Sequence, residues 1–215
     1  MIVDLNLQNK KAIVIGGGNE AQKRINSLLN QECEILVISD TVNSQIKKLS
    51  KSNKIKIKKQ KIKDVKFISK LKPDLIITTT NDKKLNQKII NAAKKKNILT
   101  YSSDNPEESD FSNPAIIDFQ NLIQIAMFTG SPVMSKKLKA QSEVFFKKII
   151  KKEDIAQIKI QKIARKLAKE TLSTQIQRKE YLHNIMRDNK VKQLIADGQI
   201  KKAEKRAVTI LKNWK

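Results

Sequence analysis

The feature that most restricts this chain is an apolar run, Lys11-Ala12-Ile13-Val14-Ile15. It feeds a glycine cluster, Gly16-Gly17-Gly18, and then a segment with helical spacing. Strand, Gly-x-Gly-x-x-Ala turn and helix, in that order, build the turn that holds the pyrophosphate of a dinucleotide. Gly16 permits the tight turn, Gly18 lets the backbone approach the phosphates, and the small Ala21 lets the helix pack on the strand. The N-terminus of that helix offers N–H groups to an anion. A glycine triplet alone would not separate this reading from a purely structural turn; the flanking strand and helix favour the ligand.

The pattern around this turn repeats. After strand Lys11–Ile15, a helix is expected over Asn19–Asn30 from Ala21, Ile25, Leu28 and Leu29. A strand Glu34–Ile38 and a helix Val42–Leu49 follow. Residues 51–63 hold seven lysines and no acid, with Ile55, Ile57 and Ile62 suggesting a strand with one wet face, guarded by lysine at a sheet edge. Pro73–Thr80 reads as a buried β-branched strand, Leu85–Lys95 as a helix and Ile98–Tyr101 as a fifth strand. Alternating βα units argue an α/β protein with a doubly wound parallel sheet. Ser103–Pro114 is loop by composition. Ala115–Phe119 and Leu122–Phe128 read as a strand pair about Gln120-Asn121, and Ser131-Pro132 as an N-cap with proline at the first helical position. Helix is expected from there to Ile150. Two or three amphipathic helices follow, with breaks near Ser173 and Gly198.

Ligands of such sheets lie at the carboxyl ends of the strands. The second strand ends at Asp40, where an acid can hydrogen-bond ribose hydroxyls and repel a 2′-phosphate, which favours NAD over NADP; capping the next helix is the competing role. Thr41 adds a hydroxyl and a backbone N–H. Thr79 and Thr80 end the fourth strand and could line the crevice with their hydroxyls. The fifth strand ends at Ser102-Ser103-Asp104. Asp104 is the one candidate general acid/base on the nicotinamide side, against a plain turn role before Asn105-Pro106. His183, the single histidine, lies in a helical segment and reads as a surface or packing residue. No His/Cys/carboxylate cluster has metal-ligand spacing, and Ser131 lacks the flanks of a nucleophile elbow.

Net charge is +24 over 215 residues, which suggests an anionic partner. Nucleic acid is the default guess. Yet Asn97–Ser135 contains no Lys or Arg and five acids, and the aromatic share is only 4%, so an RNA- or DNA-coating surface is not the expectation. Lysine-rich codon usage is the bland account of many surface lysines. One cysteine, Cys33, no long apolar span and a mixed leader containing Asp4 point to a soluble cytoplasmic protein without a membrane partner.

These motifs converge. Val14-Ile15-Gly16-Gly17-Gly18-Asn19-Glu20-Ala21 with Lys23-Arg24, Ile76 through Asp82 with Leu85-Asn86, Asp104-Asn105-Pro106, Asp110 through Ile116, Ile125-Ala126-Met127 and Ser131-Pro132 follow one another in order. In that order they resemble the precorrin-2 dehydrogenase / sirohydrochlorin ferrochelatase family, the first module of siroheme synthase. The resemblance covers residues 1 to about 150 well and the helical tail more loosely. It implies a Rossmann NAD domain over residues 1–112, a small dimerisation segment over 113–150 and an all-helical C-terminal domain over 151–215, working as a homodimer. It implies NAD-dependent oxidation of precorrin-2 to sirohydrochlorin and, in many members, insertion of Fe²⁺ to give siroheme. Gly16, Gly18, Asn19, Glu20, Asp40 and Thr41 carry over as cofactor contacts, with Thr79 and Thr80 beside them, and Asp104 as the aspartate of both steps. The loop Met127–Pro132 is shorter than is usual in the family, with Phe128 where a small polar residue is common. Two other readings stand beside this one: a non-catalytic partner that binds NAD or a tetrapyrrole, and a basic nucleic-acid-binding protein.

Overall fold

The computed structural model describes residues 3–214. Its first unit, ending at Asn113, is built on a five-stranded parallel sheet. Strands β1 (Lys11–Ile15), β2 (Glu34–Ser39), β3 (Lys56–Lys59), β4 (Leu75–Thr78) and β5 (Leu99–Ser102) lie in the order β3-β2-β1-β4-β5. The central strand β1 pairs Val14 with Val37 on one side and with Ile77 on the other. Successive side chains of a strand face opposite ways. So Ala12 and Val14 enter one core with Ala21, Ile25 and Ile46, while Ile13 and Ile15 enter a second with Ile68, Ile89 and Ala93. Both faces are covered: helices α1 (Asn19–Leu28) and α2 (Ser44–Lys51) supply the first core, α3 (Lys66–Leu71) and α4 (Lys83–Lys94) the second. This is the doubly wound parallel sheet expected from the sequence.

Several boundaries differ from that reading, among them the start of α4, two residues earlier at Lys83 because Asp82 caps it. Strand β3 is shorter, and Ile62 lies beyond it, packed beside the second core. Helix α3 was not anticipated. Its six residues have one buried side chain, Ile68, and too little periodicity to stand out, but a parallel sheet needs a crossover between β3 and β4. Helix α2 starts two residues later than expected because Asn43 caps it, accepting from the Ile46 N–H at 2.9 Å.

The second unit begins at Pro114. Strands β6 (Ala115–Phe119) and β7 (Ile123–Met127) form an antiparallel hairpin. Gln120 and Asn121 both take positive φ, 57° and 56°, as a tight hairpin turn demands. Helix α5 (Pro132–Ile149) follows, with Ser131 as its cap. The tail holds α6 (Lys152–Thr171), α7 (Gln175–Arg187), α8 (Asn189–Ala196) and α9 (Ile200–Lys212). The sequence suggested two or three tail helices; a further break falls at Asp188, whose carboxylate caps α8 through the Val191 N–H at 2.8 Å. Ala164 and Ala168 of α6 and Ala203 and Ala207 of α9 let the helices approach around Tyr181. The Tyr181 hydroxyl donates to the Ala207 carbonyl at 2.9 Å, and burial pushes its pKa up to about 12. Among the described residues no helix is long and apolar enough to cross a membrane.

Candidate active site

At the point where the strand order reverses, between β1 and β4, two loops leave the carboxyl edge of the sheet side by side. The β1 loop is shaped by two close approaches. Gly16 has φ +114°, and a Cβ there would strike the Thr79 hydroxyl and lie 3.1 Å from the Thr79 carbonyl oxygen. Gly17 carries the second constraint: a Cβ on it would overlap the Thr41 carbonyl and meet Val42 Cα at 2.8 Å. The loop after β2 thus crosses directly over Gly17, and the Asn43 N–H donates to the Gly17 carbonyl at 2.9 Å. The Asn43 amide also donates to Gln22 Oε1 at 2.8 Å, tying the loop after β2 to the first turn of α1.

Gly18 differs from its neighbours. It is exposed, has no atom near its would-be Cβ, and stands as the N-cap of α1 with no side chain capping that end. The first-turn N–H groups of α1 therefore face open space at a positive helix end, with room for a phosphate against the backbone. This cradle, tight on two sides and open on the third, fits a dinucleotide pyrophosphate. Asn19 is exposed beside it.

Glu20 is placed in the first turn of α1, where a bare carboxylate would repel a phosphate. It is not bare. Lys23 pairs with it at 3.1 Å and Arg24 more closely still. Partial burial opposes ionisation, but the hydrogen bonds and charges of Lys23 and Arg24 prevail and hold Glu20 below the usual carboxylate value. Arg24 also lies over the Tyr101 ring, 4.6 Å from its centre, and Tyr101 stacks on Phe111 at 5.5 Å.

The loop after β2 presents Asp40, exposed, with Oδ1 accepting the Thr41 N–H at 2.8 Å. Because Asn43 caps α2, the competing capping role for Asp40 is not used. Its Oδ2 makes no hydrogen bond among the described residues and is free to meet a hydroxyl pair.

Strand β4 stops at Thr78, short of the expected Thr80, so Thr79 and Thr80 lie in the loop just past it, where both engage their hydroxyls internally. Both the N–H and the hydroxyl of Thr79 donate to the Ile15 carbonyl at 2.8 Å, which fastens the β4 loop to the end of β1. The Thr80 hydroxyl donates to Asn86 Oδ1 at 2.6 Å. Any contact they make to a ligand must then use lone pairs or backbone groups.

Asp104 stands exposed just past β5. Its Oδ1 accepts from Asn86 Nδ2 and from Ser102 Oγ, each at 2.8 Å. The turn role weighed against catalysis has no donor to use, since the N–H two residues on belongs to Pro106 and does not exist. Sequence reasoning missed Asn86 and Ser102 as parts of this site. The signal for Asn86 was available: it is an amide between Leu85 and Ile89 on the core-facing side of α4, and a buried amide has partners.

The remaining singled-out residues lie elsewhere in their own unit. His183 is exposed on α7, lining an open groove with Lys179 and Arg187. Among the described residues no group of three His, Cys, Asp or Glu side chains could hold a metal ion.

Known proteins place this geometry. A family model described as "Putative NAD(P)-binding" matches residues 3–115, more than half of the chain. The "Putative precorrin-2 dehydrogenase" of Methanocaldococcus jannaschii is 29% identical over 196 residues, 88% of this chain and 91% of that protein. A siroheme synthase of Nitrosococcus oceani is 28% identical over 141 residues. Another, of Blochmanniella pennsylvanica, is 30% identical over 203 residues. The chain spans 29% and 41% of the lengths of those two synthases. A solved structure titled "SirC, precorrin-2 dehydrogenase" shares the fold over 100% of both chains, with a TM-score of 0.68 at 19% identity. The chain belongs to the NAD(P)-binding family that takes in the precorrin-2 dehydrogenases and the siroheme synthases.

Proposed function

We propose that this chain is a cytoplasmic NAD-dependent dehydrogenase that oxidises precorrin-2 to sirohydrochlorin. The observation that carries the reading is Asp104, held by one carboxylate oxygen at the end of β5 with Oδ2 unengaged, on the sheet edge that also forms the phosphate cradle. Gly16, Gly17 and Gly18 with the open end of α1 hold the pyrophosphate, Asn19 and the ion-paired Glu20 flank it, and Asp40 with Thr41 takes the adenosine ribose. When bound, NAD⁺ supplies the oxidising power, accepting a hydride from a ring-bridging carbon of the substrate. The balance requires one proton to leave the macrocycle with that hydride, and Asp104 Oδ2 receives it before passing it to water. Asp40 selects NAD, because its free carboxylate oxygen pairs with ribose hydroxyls and repels a 2′-phosphate.

The same carboxylate serves the second step that the family resemblance implies. Insertion of Fe²⁺, as substrate, into sirohydrochlorin releases two pyrrole protons, and a carboxylate beside the ring accepts them in turn. The polycarboxylate substrates also give the net charge of +24 a use, since a strongly positive chain attracts them and raises their local concentration.

A homodimer completes the proposal, formed through the segment 113–150. Along α5 no residue is buried, and Val133, Val144, Phe145 and Ile149 are 50–77% exposed. Such apolar side chains on one 18-residue helix call for a covering surface.

The decisive assay incubates purified protein with precorrin-2 and NAD⁺ and follows NADH, then repeats the reaction with Fe²⁺ present. NADH formation with a clear preference over NADP is expected. Intact NAD binding without turnover would support the non-catalytic reading, and equal use of the two cofactors would remove the role given to Asp40. Steeply salt-dependent retention on nucleic acid without NAD affinity would support the remaining alternative.

A further inference from the structure

We infer that Asn86, seconded by Ser102, is the positioning residue that aims Asp104, an inference that rests on the catalytic role proposed for that aspartate. Asp104 lies on an exposed loop and by itself has several rotamers open to it. Two donors remove that freedom by converging on one oxygen: Asn86 Nδ2 and Ser102 Oγ both meet Oδ1 at 2.8 Å. With the acceptor capacity of Oδ1 filled, a proton taken by Asp104 is directed to Oδ2, the oxygen left without a donor.

Asn86 is suited to this because it cannot turn. It is 1% exposed, and its amide group makes three hydrogen bonds. Oδ1 accepts from the Thr80 hydroxyl at 2.6 Å, and Nδ2 donates both to the Thr80 carbonyl at 2.9 Å and to Asp104. Flipping the amide would set its oxygen against a carbonyl and a carboxylate, two acceptor-to-acceptor contacts in a buried site, so the donor side faces Asp104. Ser102 is 3% exposed, and its oxygen receives the Thr78 hydroxyl at 3.2 Å, which turns its own hydrogen toward Asp104. Thr80 follows Thr79 directly, and Thr79 is bonded to the strand end that carries Gly16. The aim of the carboxylate is therefore set from the same loop that shapes the phosphate cradle.

The test is a set of steady-state measurements on the full chain. Asn86→Asp, which replaces the donor by an acceptor of the same size, is expected to lower kcat about a hundredfold. The KM for NAD⁺ should stay within about twofold, because the pyrophosphate contacts lie elsewhere. Ser102→Ala is expected to lose about tenfold in kcat, and Ser102→Thr, which keeps the hydroxyl, to recover most of that loss. In the Asp104→Ala background, Asn86→Asp should cost nothing further. Full kcat in Asn86→Asp, or an equal loss with and without Asp104, overturns the positioning role. Wild-type protein that makes no NADH from precorrin-2 would instead sink the parent reading. A crystal structure of Asn86→Ala then still decides the positioning claim: Asp104 in an unchanged rotamer refutes it, and a released Asp104 side chain supports it.

Discussion

The sheet unit and the unit that follows it solve the burial problem differently. In the first, β1 and β4 carry apolar side chains toward both faces, and four helices cover them. What remains polar is collected at one sheet edge and bonded in detail, as in the Thr78–Ser102–Asp104–Asn86–Thr80 chain. In the second, the four tail helices close a core of their own around Tyr181, whereas no residue of α5 is fully buried and the hairpin leaves Ile116 exposed. The difference separates two uses of a surface. A sheet unit with both faces satisfied can devote its edge to chemistry, while a helix with unburied apolar residues is built for contact.

The comparison can be broken by substitution. If the sheet edge carries the chemistry and little of the stability, Asp104→Ala should lower kcat for precorrin-2 oxidation about a thousandfold. Its melting temperature and NAD affinity should stay near those of the wild type; normal turnover in this variant would take Asp104 out of the mechanism. Gly17→Ala should act on the cradle instead. Its methyl group meets the Thr41 backbone, so the loops must part, and NAD⁺ is expected to bind on the order of a hundredfold more weakly in calorimetry. Wild-type affinity would show that the crossing over Gly17 is not needed.

On the other side of the comparison, Phe145→Lys should act on association rather than catalysis. With its side chain 60% exposed in the described chain, the change is expected to weaken the proposed dimer at least about tenfold by sedimentation while leaving the monomer folded. A variant that unfolds as a monomer would mean that Phe145 holds the fold, not an interface.

The smallest effect is expected inside the helical core. Asp188→Ala removes a cap and the 2.9 Å pair with Arg206, and should cost about 1 kcal/mol in urea unfolding. Burial works against the Asp188 charge, yet the Arg206 bond and the Val191 and Lys190 amides outweigh it and hold its pKa below the ordinary 3.8. A lowered carboxylate contributes stability that is complete above that ordinary value and is lost as pH falls through the lower folded value. Acid titration of wild type and Asp188→Ala should therefore converge well below pH 3.8 and differ above it. A constant difference across that range would exclude the charge as the cause.

Much of the fold was legible from local pattern. β1, β4 and β5 announced themselves as short apolar runs, and the cap at Ser131 followed by Pro132 marked the start of α5 without ambiguity. The shorter the element, the less its own residues said: α3 offers one buried residue, and the break at Asp188 has neither glycine nor proline to signal it. The same limit ran through the candidate site. Asp40 and Asp104 were visible because strand ends are readable one at a time. Ser102 and Gly17 were not, because each takes its meaning from a partner elsewhere in the chain, and for Asn86 the helix face showed only that it would have partners, not which ones.

The order of strand, glycine turn and helix, and the alternation that follows, are written in neighbouring residues, since periodicity and turn chemistry act over a few positions. That much the amino-acid order determined unaided. Which oxygen of Asp104 is held, which glycine is crowded and which helix is left uncovered were decided only when the chain folded. Those outcomes depend on hydrogen bonds and packing between segments that only the tertiary structure brings together, as when Asn86 meets Asp104 eighteen residues on.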